Sequence, residues 1–451
     1  MFSINMISAV VLSAGQGRRM NSSLPKSLHP VGGKPILARI LQSLHGAGLN
    51  DIRVITQMAE NLVHPVVRSF QAQPISQKSK PGTAGALMHL SLEELQSYVL
   101  VINGDHPLIF PKDLKSFCDK ALENSADISV GTCFISDPKQ FGRVIRNGDQ
   151  IVKIVEHYEF TEEEESINEI NTGLMLIRTE ILKDNLKLIT DDNPKKEYPL
   201  TDLISIASSQ GFKVAPVEVE IHVACGVNTQ EDLALANTFI FDKKNQELMS
   251  QGVILPDPQQ VHVEEDVQVG QGSILYPGVY LKGKTSIGAF CAIEQNCFIF
   301  DSEIANSVHI KSSCYLEKAQ VHSKSVVGPF AHLRPGSVIG EECKVGNFVE
   351  MKNTNFGSKS KASHMSYLGD SVIGKEVNIG CGAVTCNYAI DRKKYKTTIK
   401  DGAFIGGGSM LVAPLEVGEK SIVGAGSVIT KNVPKETLVV ARSEETHKKR
   451  K

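Results

Sequence analysis

Residues 263–299 read VEEDVQ VGQGSI LYPGVY LKGKTS IGAFCA IEQNCF I, and an aliphatic residue opens every group of six. Six residues of an α-helix advance about 600°, so this position would drift around a helix and could not line one face. The period instead fits a solenoid whose coils have three short, flat faces, each of which sends one aliphatic side chain inward. The stretch therefore predicts a β-helix.

The same period continues through most of the second half of the chain. Glycines stand beside the six-residue positions, where larger side chains would obstruct the corners of the coil. After a small slip the pattern resumes, and it returns twice after interruptions, at Val321, Val327, Leu333, Ile339, Val345 and Met351; at Tyr367, Ile373 and Ile379; and at Ile405, Leu411, Val417, Val423 and Ile429. We therefore expect a single solenoid over residues 253–451.

In the first half of the chain, apolar runs alternate with helix-like segments. The predicted strands lie at residues 6–14, 52–56, 98–102, 128–134 and 174–177, and the predicted helices at 36–44, 111–123 and 201–209. Such alternation is typical of an α/β domain, here a Rossmann-like unit with a mostly parallel sheet covered by helices.

A long helix is predicted between the two patterns. Thr229 suits its N-cap, Asp232 follows three residues later as a variant of the capping box, and Gly252 stands just past the end. The predicted organisation is an α/β domain at residues 1–228, a linker helix at 229–252 and a β-helix at 253–451.

The composition excludes several classes of protein. The 451 residues suit two or three domains, and 41% apolar with 22% charged residues is ordinary for a globular protein. A formal net charge of −2 gives no bulk electrostatic reason to bind DNA or RNA, so no nucleic-acid partner is predicted. The first apolar run stops at Gly15, and the nine cysteines form no C-x-x-C pair. We therefore expect a cytoplasmic protein without membrane insertion.

A glycine-rich loop follows the first predicted strand. Residues 12–20 read LSAGQGRRM, and the run Leu24-Pro25-Lys26 comes shortly after. Backbone N–H groups in such a loop can approach phosphate oxygens, while Arg19 and Lys26 can neutralise charge on a triphosphate. Taken alone, the segment is equally well an ordinary strand-to-helix turn that carries two surface cations.

A carboxylate stands at the end of another predicted strand, in the run NGDHP at residues 103–107. Asp105 could hold Mg²⁺ between phosphate groups, because this hard cation prefers oxygen ligands. The alternative is that Asp105 merely caps a turn.

The solenoid repeat is interrupted at residues 361–370, which read KASHMSYLGD, and interruptions in a repeat often carry function. A lone histidine such as His364 is more often structural than catalytic. The catalytic interpretation is favoured by other runs of this half of the chain, which are VGPF at 327–330, RPG at 334–336, VGNFVEMK at 345–352 and CNY at 386–388.

Together these segments resemble the family of bifunctional N-acetylglucosamine-1-phosphate uridyltransferases and glucosamine-1-phosphate N-acetyltransferases, over nearly all 451 residues. The resemblance implies a nucleotidyltransferase domain at 1–228 and, at 253–451, a left-handed parallel β-helix of hexapeptide repeats that acts as an acetyltransferase in a homotrimer. It implies glucosamine 1-phosphate, acetyl-CoA and UTP as small-molecule substrates, Mg²⁺ as cofactor and UDP-N-acetylglucosamine as product.

The resemblance also assigns residues in the first half to a sugar-nucleotide site. Arg19 and Lys26 would act in catalysis, and Asp105 and Asn228 would bind the metal. The implied contacts with the nucleotide and sugar are Leu12, Ser13, Ala14, Gly15, Lys26, Gln77, Gly82, Thr83, Asn103, Gly104, Asp105, Gly142, Glu156, Asn171 and Asn228.

In the second half His364 is the expected catalytic base. A protonated amine cannot attack a thioester, and imidazole is a side chain that can accept its proton near neutral pH. By the resemblance, the sugar phosphate would contact Arg334, Lys352, Tyr367 and Asn378, and acetyl-CoA would contact Cys381, Asn387, Tyr388, Gly407, Ala425 and Arg442.

Two other hypotheses remain. The β-helix could only trimerise or regulate a nucleotidyltransferase, or the whole chain could be a non-catalytic scaffold. The first is opposed by His364 with Lys352 and Tyr367, and the second by the presence of Arg19, Lys26 and Asp105. The chain also departs from the family pattern, since Asn103 replaces the usual tyrosine and Cys381 the usual alanine.

Overall fold

The computed structural model describes residues 4–15, 17–57 and 59–450, which form two compact units that meet in sequence between Thr238 and Phe239. Gln16 of the glycine-rich loop lies outside the described residues. The predicted domain borders at residues 228 and 252 stay predictions, because they divide the chain by function and not by compactness.

The first unit is built on one twisted sheet. Its strands are β1 (Ile7–Ser13), β2 (Ile52–Thr56), β3 (Gln73–Ser76), β4 (Tyr98–Asn103), β5 (Ile128–Phe134), β6 (Arg143–Asn147), β7 (Gln150–Val155), β8 (Glu169–Arg178) and β9 (Val214–Glu218). Their order is β9-β5-β8-β4-β1-β2-β3, with β6 paired to β8 and β7. The small hairpin of Pro30–Val31 and Lys34–Pro35 stands apart from this sheet.

The sheet is parallel in its centre. β1 pairs in parallel with β2 and β4, and β3 extends this set, whereas β8 runs antiparallel to β4 and β5. The prediction of a mostly parallel sheet is confirmed. Because β1, β3 and β4 run the same way, the loops that follow them emerge at one edge, which is where open α/β sheets bind ligands.

Helices cover the sheet. They are α1 (Ile36–Gly46), α2 (Glu60–Ser69), α3 (Thr83–Leu87), α4 (Pro111–Glu123), α5 (Glu162–Glu165), α6 (Thr179–Asn185) and α7 (Asp202–Ser209). A further helix, α8 (Gln230–Ser250), contains the sequence border between the two units. The capping prediction for α8 is confirmed, since the Asp232 carboxylate accepts from Thr229 N at 2.9 Å and the Thr229 hydroxyl accepts from Asp232 N at 3.1 Å. Across the described ranges, no helix is long and apolar enough to cross a membrane.

The second unit is a parallel β-helix with three faces. Face 1 contains Ile274–Leu275, Ala292–Ile293, His309–Ile310, Val326–Val327, Lys344–Asn347, Lys361–His364, Asn378–Ile379, Phe404–Ile405, Ile422–Val423 and Leu438–Val439. Face 2 contains His262–Val263, Tyr280–Lys282, Phe298–Phe300, Tyr315–Glu317, His332–Leu333, Val384–Cys386, Met410–Val412 and Val428–Ile429. Face 3 contains Gln268–Val269, Ser286–Ile287, Glu303–Ile304, Gln320–Val321, Val338–Ile339, Thr397–Ile399 and Leu415–Val417.

Two longer strands, Glu350–Phe356 and Tyr367–Ile373, run from face 2 into face 3. Successive strands of a face pair in parallel. Val263 pairs with Leu281, 18 residues later, and Ile287 with Ile304, 17 residues later, so one coil takes 18 or 17 residues. The predicted solenoid is confirmed, and its left-handed sense stays a prediction.

The aliphatic residues of the repeat form the solenoid core, as predicted, with one exception. Tyr367 was expected to point inward with Ile373 and Ile379, but Leu368 takes the inward position and is 1% exposed, while Tyr367 is half-buried on the outside. The prediction for Tyr367 is wrong because the chain advances five residues, not six, from Leu368 to Ile373.

Glycines are required where coils approach each other closely. A Cβ atom on Gly270 would lie 2.5 Å from the amide nitrogen of Ala289 in the next coil. The corner can therefore stack tightly only without a side chain, which explains why glycine accompanies the six-residue period.

Candidate active sites

The first candidate site lies at the edge of the sheet where β1 and β4 end. Gly104 N donates to the Leu12 carbonyl at 2.8 Å, and a Cβ on Gly104 would lie 2.8 Å from that oxygen. Only a glycine permits this approach, so the chain after β4 is held directly against the start of the glycine-rich loop. Leu12, Ser13 and Ala14 are half-buried there, and Gly15 is exposed.

Lys26 reaches into this edge from the turn Lys26–Leu28. Its Nζ donates to Asp105 Oδ2 at 2.5 Å and to Asn228 Oδ1 at 2.7 Å, and its side chain is 13% exposed. Gly17, at φ 59°, packs against the Lys26 stem, where a Cβ would lie 2.9 Å from Lys26 Cβ. The structure thus joins three of the predicted residues in one cluster.

The Asp105 carboxyl is ionised in this cluster. Burial opposes its ionisation, but the charges of His106 and Lys26 outweigh that effect, and the pKa of Asp105 is lowered from its usual value. Its Oδ1 is buried and has no hydrogen-bond partner, although His106 Nε2 lies 3.4 Å away. A buried carboxylate oxygen without a partner is unusual and leaves a ligand position available.

These oxygens fit a magnesium ion. Within the described residues no group of three or more His, Cys, Asp or Glu side chains could hold a metal. Mg²⁺ is usually bound by one or two protein oxygens together with substrate phosphates, which is what Asp105 and Asn228 provide. Asn228 is itself held by the start of α8, since its backbone N donates to the Asp232 carboxylate at 2.8 Å.

The residues predicted to hold the sugar lie beyond β4 on the antiparallel side. Gly173 N donates to the Asn171 side-chain oxygen at 3.0 Å, and Asn171 N donates to the Gly142 carbonyl at 2.9 Å. The Asn103 amide lies against Gly173, which adopts φ 79° where the pairing of β8 is interrupted. Asn103, Asn171 and Gly142 are therefore adjacent.

The segment that carries Gln77, Gly82 and Thr83, three residues predicted to contact the nucleotide, is linked by hydrogen bonds to the predicted sugar site. The Thr83 hydroxyl accepts from Leu200 N at 2.7 Å. Thr201, which follows Leu200, donates from its hydroxyl to the Glu156 carboxylate at 3.3 Å. Gln77 is buried and donates to the Lys80 carbonyl at 2.8 Å, so its Nε2 stabilises the loop.

Of two other predicted residues, Gly82 packs closely against the backbone, whereas Arg19 is exposed. Gly82 has φ 103° and packs on the backbone of Tyr198, where a Cβ would lie 2.5 Å from the Tyr198 carbonyl oxygen. Arg19 is exposed in the turn Arg18–Met20 and makes none of the contacts of the Lys26 cluster.

The second candidate site follows one corner of the solenoid. Asn347 and His364 are paired neighbours in face 1, and His364 Nδ1 lies 2.7 Å from Asn347 Oδ1. An amide oxygen can only accept, so in this pair Nδ1 is the donor, and in the neutral imidazole Nε2 then keeps the lone pair. Nε2 is the atom that a base would use.

The predicted acetyl-CoA residues continue this corner in the following coils. Gly408 N donates to the Cys381 carbonyl at 2.7 Å, and Gly426 N donates to the Gly407 carbonyl at 2.8 Å. Arg442 Nη1 donates to the Ala425 carbonyl at 3.0 Å. Cys381, Gly407, Ala425 and Arg442 therefore form one column that begins beside His364.

A cluster of cations lies on face 2. Register aligns Arg334 with Lys352, and Lys394 lies against Lys352 from the inserted segment after Asn387. The close side chain of Lys394 and its like charge, and then the charge of Arg334, lower the pKa of Lys352. Glu350 neutralises part of this charge through Arg334 at 2.7 Å. Such a cluster favours a phosphate group.

Tyr367 and Asn387 meet beside these cations. A Cβ on Gly369 would lie 2.5 Å from the Tyr367 hydroxyl and 2.8 Å from Asn387 Nδ2, so only the glycine lets both side chains converge. Asn387 also donates to Asp370 at 2.5 Å.

The structure does not bring every predicted residue into these contacts. Asn378 pairs with Lys361, three residues from His364 along face 1. Tyr388 is 62% exposed in the inserted segment.

Sequence reasoning missed two residues of this site. Asn347 stands inside the run VGNFVEMK, where its spacing of 17 residues from His364 equals one coil and was the available signal. Lys394 lies in the basic run Arg392-Lys393-Lys394 within an interruption of the repeat. Its position beside Lys352 depends on the turn of the insertion, which the period does not specify.

Comparison with known proteins agrees with the two-unit architecture. Residues 9–141 match a family described as MobA-like NTP transferase domain, and residues 258–350 match the GMPPB C-terminal domain. The chain is 44% identical to the bifunctional protein GlmU of Bdellovibrio bacteriovorus over 97% of this chain and 96% of that protein. It is 39% identical to that of Carboxydothermus hydrogenoformans over 97% and 98%, and 40% identical to that of Pseudoalteromonas atlantica over 97% and 96%.

Proposed function

This chain belongs to the family of bifunctional GlmU proteins, and from that premise we propose how its two sites make UDP-N-acetylglucosamine. The solenoid acetylates glucosamine 1-phosphate first, and the α/β unit then transfers a uridylyl group to the product. The observations that support this proposal are the contact of Lys26 with Asp105 in the α/β unit and, in the solenoid, the His364–Asn347 pair and the cations around Lys352.

In the solenoid, the cations at Arg334, Lys352 and Lys394 bind the phosphate of glucosamine 1-phosphate. His364 Nε2 accepts a proton from the amine as its nitrogen attacks the acetyl carbonyl of acetyl-CoA. The carbon–sulfur bond then breaks, and the leaving CoA thiolate takes that proton back from the imidazolium. The hydrogen bond from Nδ1 to Asn347 supports this role because it fixes the tautomer in which Nε2 is the acceptor. Neither neighbouring thiol, Cys381 or Cys386, is needed as a nucleophile.

In the α/β unit, a phosphate oxygen of N-acetylglucosamine 1-phosphate attacks the α-phosphorus of UTP, and pyrophosphate leaves. The protein contributes positioning and neutralisation of charge, with no covalent intermediate. Lys26 and Arg19 bind the triphosphate, Gln77, Gly82 and Thr83 hold the uracil, and Gly142, Glu156 and Asn171 hold the sugar.

Asp105 and Asn228 are the residues that hold Mg²⁺ in this proposal. When bound, the ion neutralises charge on the phosphates during transfer. The unpartnered Asp105 Oδ1 supports this assignment, because a buried anionic oxygen gains most from a cation.

We further propose that the chain works as a homotrimer in the cytoplasm. Phe330, Phe348 and Met365 stack along a corner of the solenoid and are 52%, 58% and 60% exposed. Large apolar side chains in a contiguous exposed row favour a protein interface, here with neighbouring copies. A monomer in analytical ultracentrifugation that kept full acetyltransferase activity would overturn the trimer.

A mass-resolved product assay tests the two reactions together. Purified protein is given glucosamine 1-phosphate, acetyl-CoA, UTP and Mg²⁺, alongside the variants His364→Ala and Asp105→Ala. We expect UDP-N-acetylglucosamine from the wild type, unreacted glucosamine 1-phosphate with His364→Ala, and N-acetylglucosamine 1-phosphate with Asp105→Ala.

Other outcomes identify which half of the proposal fails. If the wild type uridylylates added N-acetylglucosamine 1-phosphate but never acetylates, the solenoid is a scaffold. If His364→Ala acetylates at the wild-type rate, the base is another group. His322→Ala is the matched control, because His322 is an exposed histidine elsewhere on the solenoid, and its rates should equal those of the wild type.

A further inference from the structure

Lys26 occupies the position that the proposed function gives to a metal ion. Its ammonium lies 2.5 Å from Asp105 Oδ2 and 2.7 Å from Asn228 Oδ1, and these are the two side chains proposed to hold Mg²⁺. A single positive charge therefore already contacts one oxygen of each side chain, whereas Asp105 Oδ1 has no hydrogen-bond partner.

The two cations cannot both make these contacts. A divalent ion bound to Asp105 and Asn228 would stand within a few ångströms of the ammonium group, in a site where burial weakens solvent screening. The Lys26 side chain is 13% exposed and Asp105 is 24% exposed, so water compensates little of this repulsion. Either the metal is kept out or the ammonium moves.

The surroundings offer Lys26 a different partner when substrate is bound. Its stem packs on Gly17 of the glycine-rich loop, and that loop is where the proposed function places the triphosphate. A lysine side chain has a flexible four-carbon stem, so its ammonium can turn from Asp105 toward phosphate oxygens without a change in the backbone. The triphosphate would thus free the carboxylate and attract the ammonium together.

We propose that Lys26 is a resident counter-ion that keeps Asp105 and Asn228 from binding a divalent cation until a triphosphate draws the ammonium away. This inference rests on the proposed function for the assignment of Asp105 and Asn228. Metal binding is then coupled to nucleotide binding, and the free enzyme has low affinity for the ion. The same charge keeps the ionised Asp105 compensated while the site waits for substrate.

The test is a titration with Mn²⁺ in the absence of nucleotide, read as the loss of the free-ion signal in electron paramagnetic resonance. Full-length wild type is compared with Lys26→Met, which keeps much of the stem but removes the charge. We expect Lys26→Met to bind Mn²⁺ about tenfold or more tightly than the wild type, as the effect of one removed neighbouring charge. Lys26→Arg keeps the charge and should show no such gain.

Further variants make the result specific. The double variant Lys26→Met/Asp105→Asn should lose the added affinity, because the carboxylate is then gone. Lys115→Met removes an exposed cation of α4 that has no part in the cluster and should leave Mn²⁺ binding unchanged. If the thermal unfolding midpoint shows that Lys26→Met fails to fold, Lys26→Gln replaces it.

The inference is overturned if the uncharged Lys26 variant binds Mn²⁺ no more tightly than the wild type, or if Lys26→Arg gains as much. Product assays separate this from the proposed function. A wild type that makes UDP-N-acetylglucosamine while the Mn²⁺ affinities are equal contradicts only the counter-ion role. A wild type without uridylyl transfer contradicts the proposed function, whatever the titration gives.

Discussion

The two units assemble their sites from the sequence in opposite ways. In the α/β unit, Lys26 meets Asp105 across 79 residues and Asn228 across 202. In the solenoid, Asn347 meets His364 across 17 residues, which is one coil. A repeat converts a fixed spacing in sequence into contact in space, whereas a sheet with crossovers brings together residues at unrelated spacings.

The sites also differ in how they carry charge before substrate binds. Lys26 is paired with a carboxylate, whereas Lys352 stands beside Lys394 and Arg334 and its pKa is lowered by them. The first site is electrostatically compensated, and the second holds excess positive charge. The proposed functions account for the difference, since they require the first site to exchange a cation and the second only to receive a phosphate.

The largest expected effect is on stability and contrasts the two architectures. Leu333→Ala in the solenoid and Leu100→Ala in β4 each remove a fully buried side chain, and each should lower the free energy of unfolding by about 2–5 kcal/mol. Because coils contact only their neighbours, Leu333→Ala should weaken hydrogen-exchange protection mainly in adjacent coils.

Leu100→Ala should instead weaken protection across the whole central sheet, since β4 pairs with both β1 and β8. Hydrogen exchange followed by mass spectrometry resolves the two patterns. Equal spreading of the loss in both units would contradict the contrast between a repeat and a single sheet.

The next largest effect is expected at Asn347, which lies one coil before His364 and orients the His364 ring. Asn347→Leu leaves His364 Nδ1 without its acceptor, and the rate of acetyl transfer should fall about 10- to 100-fold with uridylyl transfer unchanged. Asn347→Asp keeps an acceptor oxygen and should recover part of the rate with a shifted pH profile. A purely structural role would lower both activities and show no such recovery.

A smaller effect is expected from the inserted segment. Lys394→Met removes one cation of the cluster with Lys352, so the KM for glucosamine 1-phosphate should rise about tenfold while kcat changes little. Lys400→Met is the matched control, because Lys400 is an exposed solenoid lysine paired only with Glu416 at 3.5 Å. An unchanged KM in Lys394→Met would remove Lys394 from the phosphate site.

The smallest expected effect is a difference in reactivity between buried and exposed cysteine thiols, which can be measured in both units. Burial, then the charge of Asp119, raises the pKa of Cys118 to about 12, so about one part in ten thousand is thiolate at pH 8. Burial likewise raises the pKa of Cys133 to about 11. Cys225 and Cys381 are exposed, and although partial burial of its thiol and then the charge of Asp232 raise the pKa of Cys225, a reagent reaches it more easily than the buried thiols.

Under native conditions a disulfide reagent such as Ellman's should therefore react first with Cys225 in the first unit and Cys381 in the second, as mapped by mass spectrometry. Acetyl-CoA should protect Cys381 and leave Cys225 reactive. Early modification of Cys118 would show that the first unit opens more readily than its packing indicates.

Much of the fold was predictable because its signals are local. The strand Ile128–Phe134 and the helix Pro111–Glu123 agree with the predicted bounds, and the capping residues of α8 behave as expected. Weaker signals were missed, including the antiparallel hairpin of β6 and β7, whose short strands mix exposed charged residues such as Arg146 and Lys153 with buried apolar ones. Tyr367 shows a further limit, since one five-residue step moves a side chain from the core to the surface.

Site residues were predicted unevenly for the same reason. His364 and Asp105 stand in recognisable runs, and the structure brings each against a partner. Arg19 stands in an equally recognisable run but is exposed and makes none of the contacts of the Lys26 cluster. Charge and residue type can be read from a run, but direction and distance cannot.

The sequence by itself determined the two architectures and the residue types available to each site, because hydrophobic period and turn chemistry act over a few neighbours. The tertiary structure alone decided that Lys26 occupies the oxygens of Asp105 and Asn228, and that Lys394 lies against Lys352. These contacts depend on how crossovers and insertions return the chain to one place. No local preference encodes that return, since it is set by packing of the whole unit.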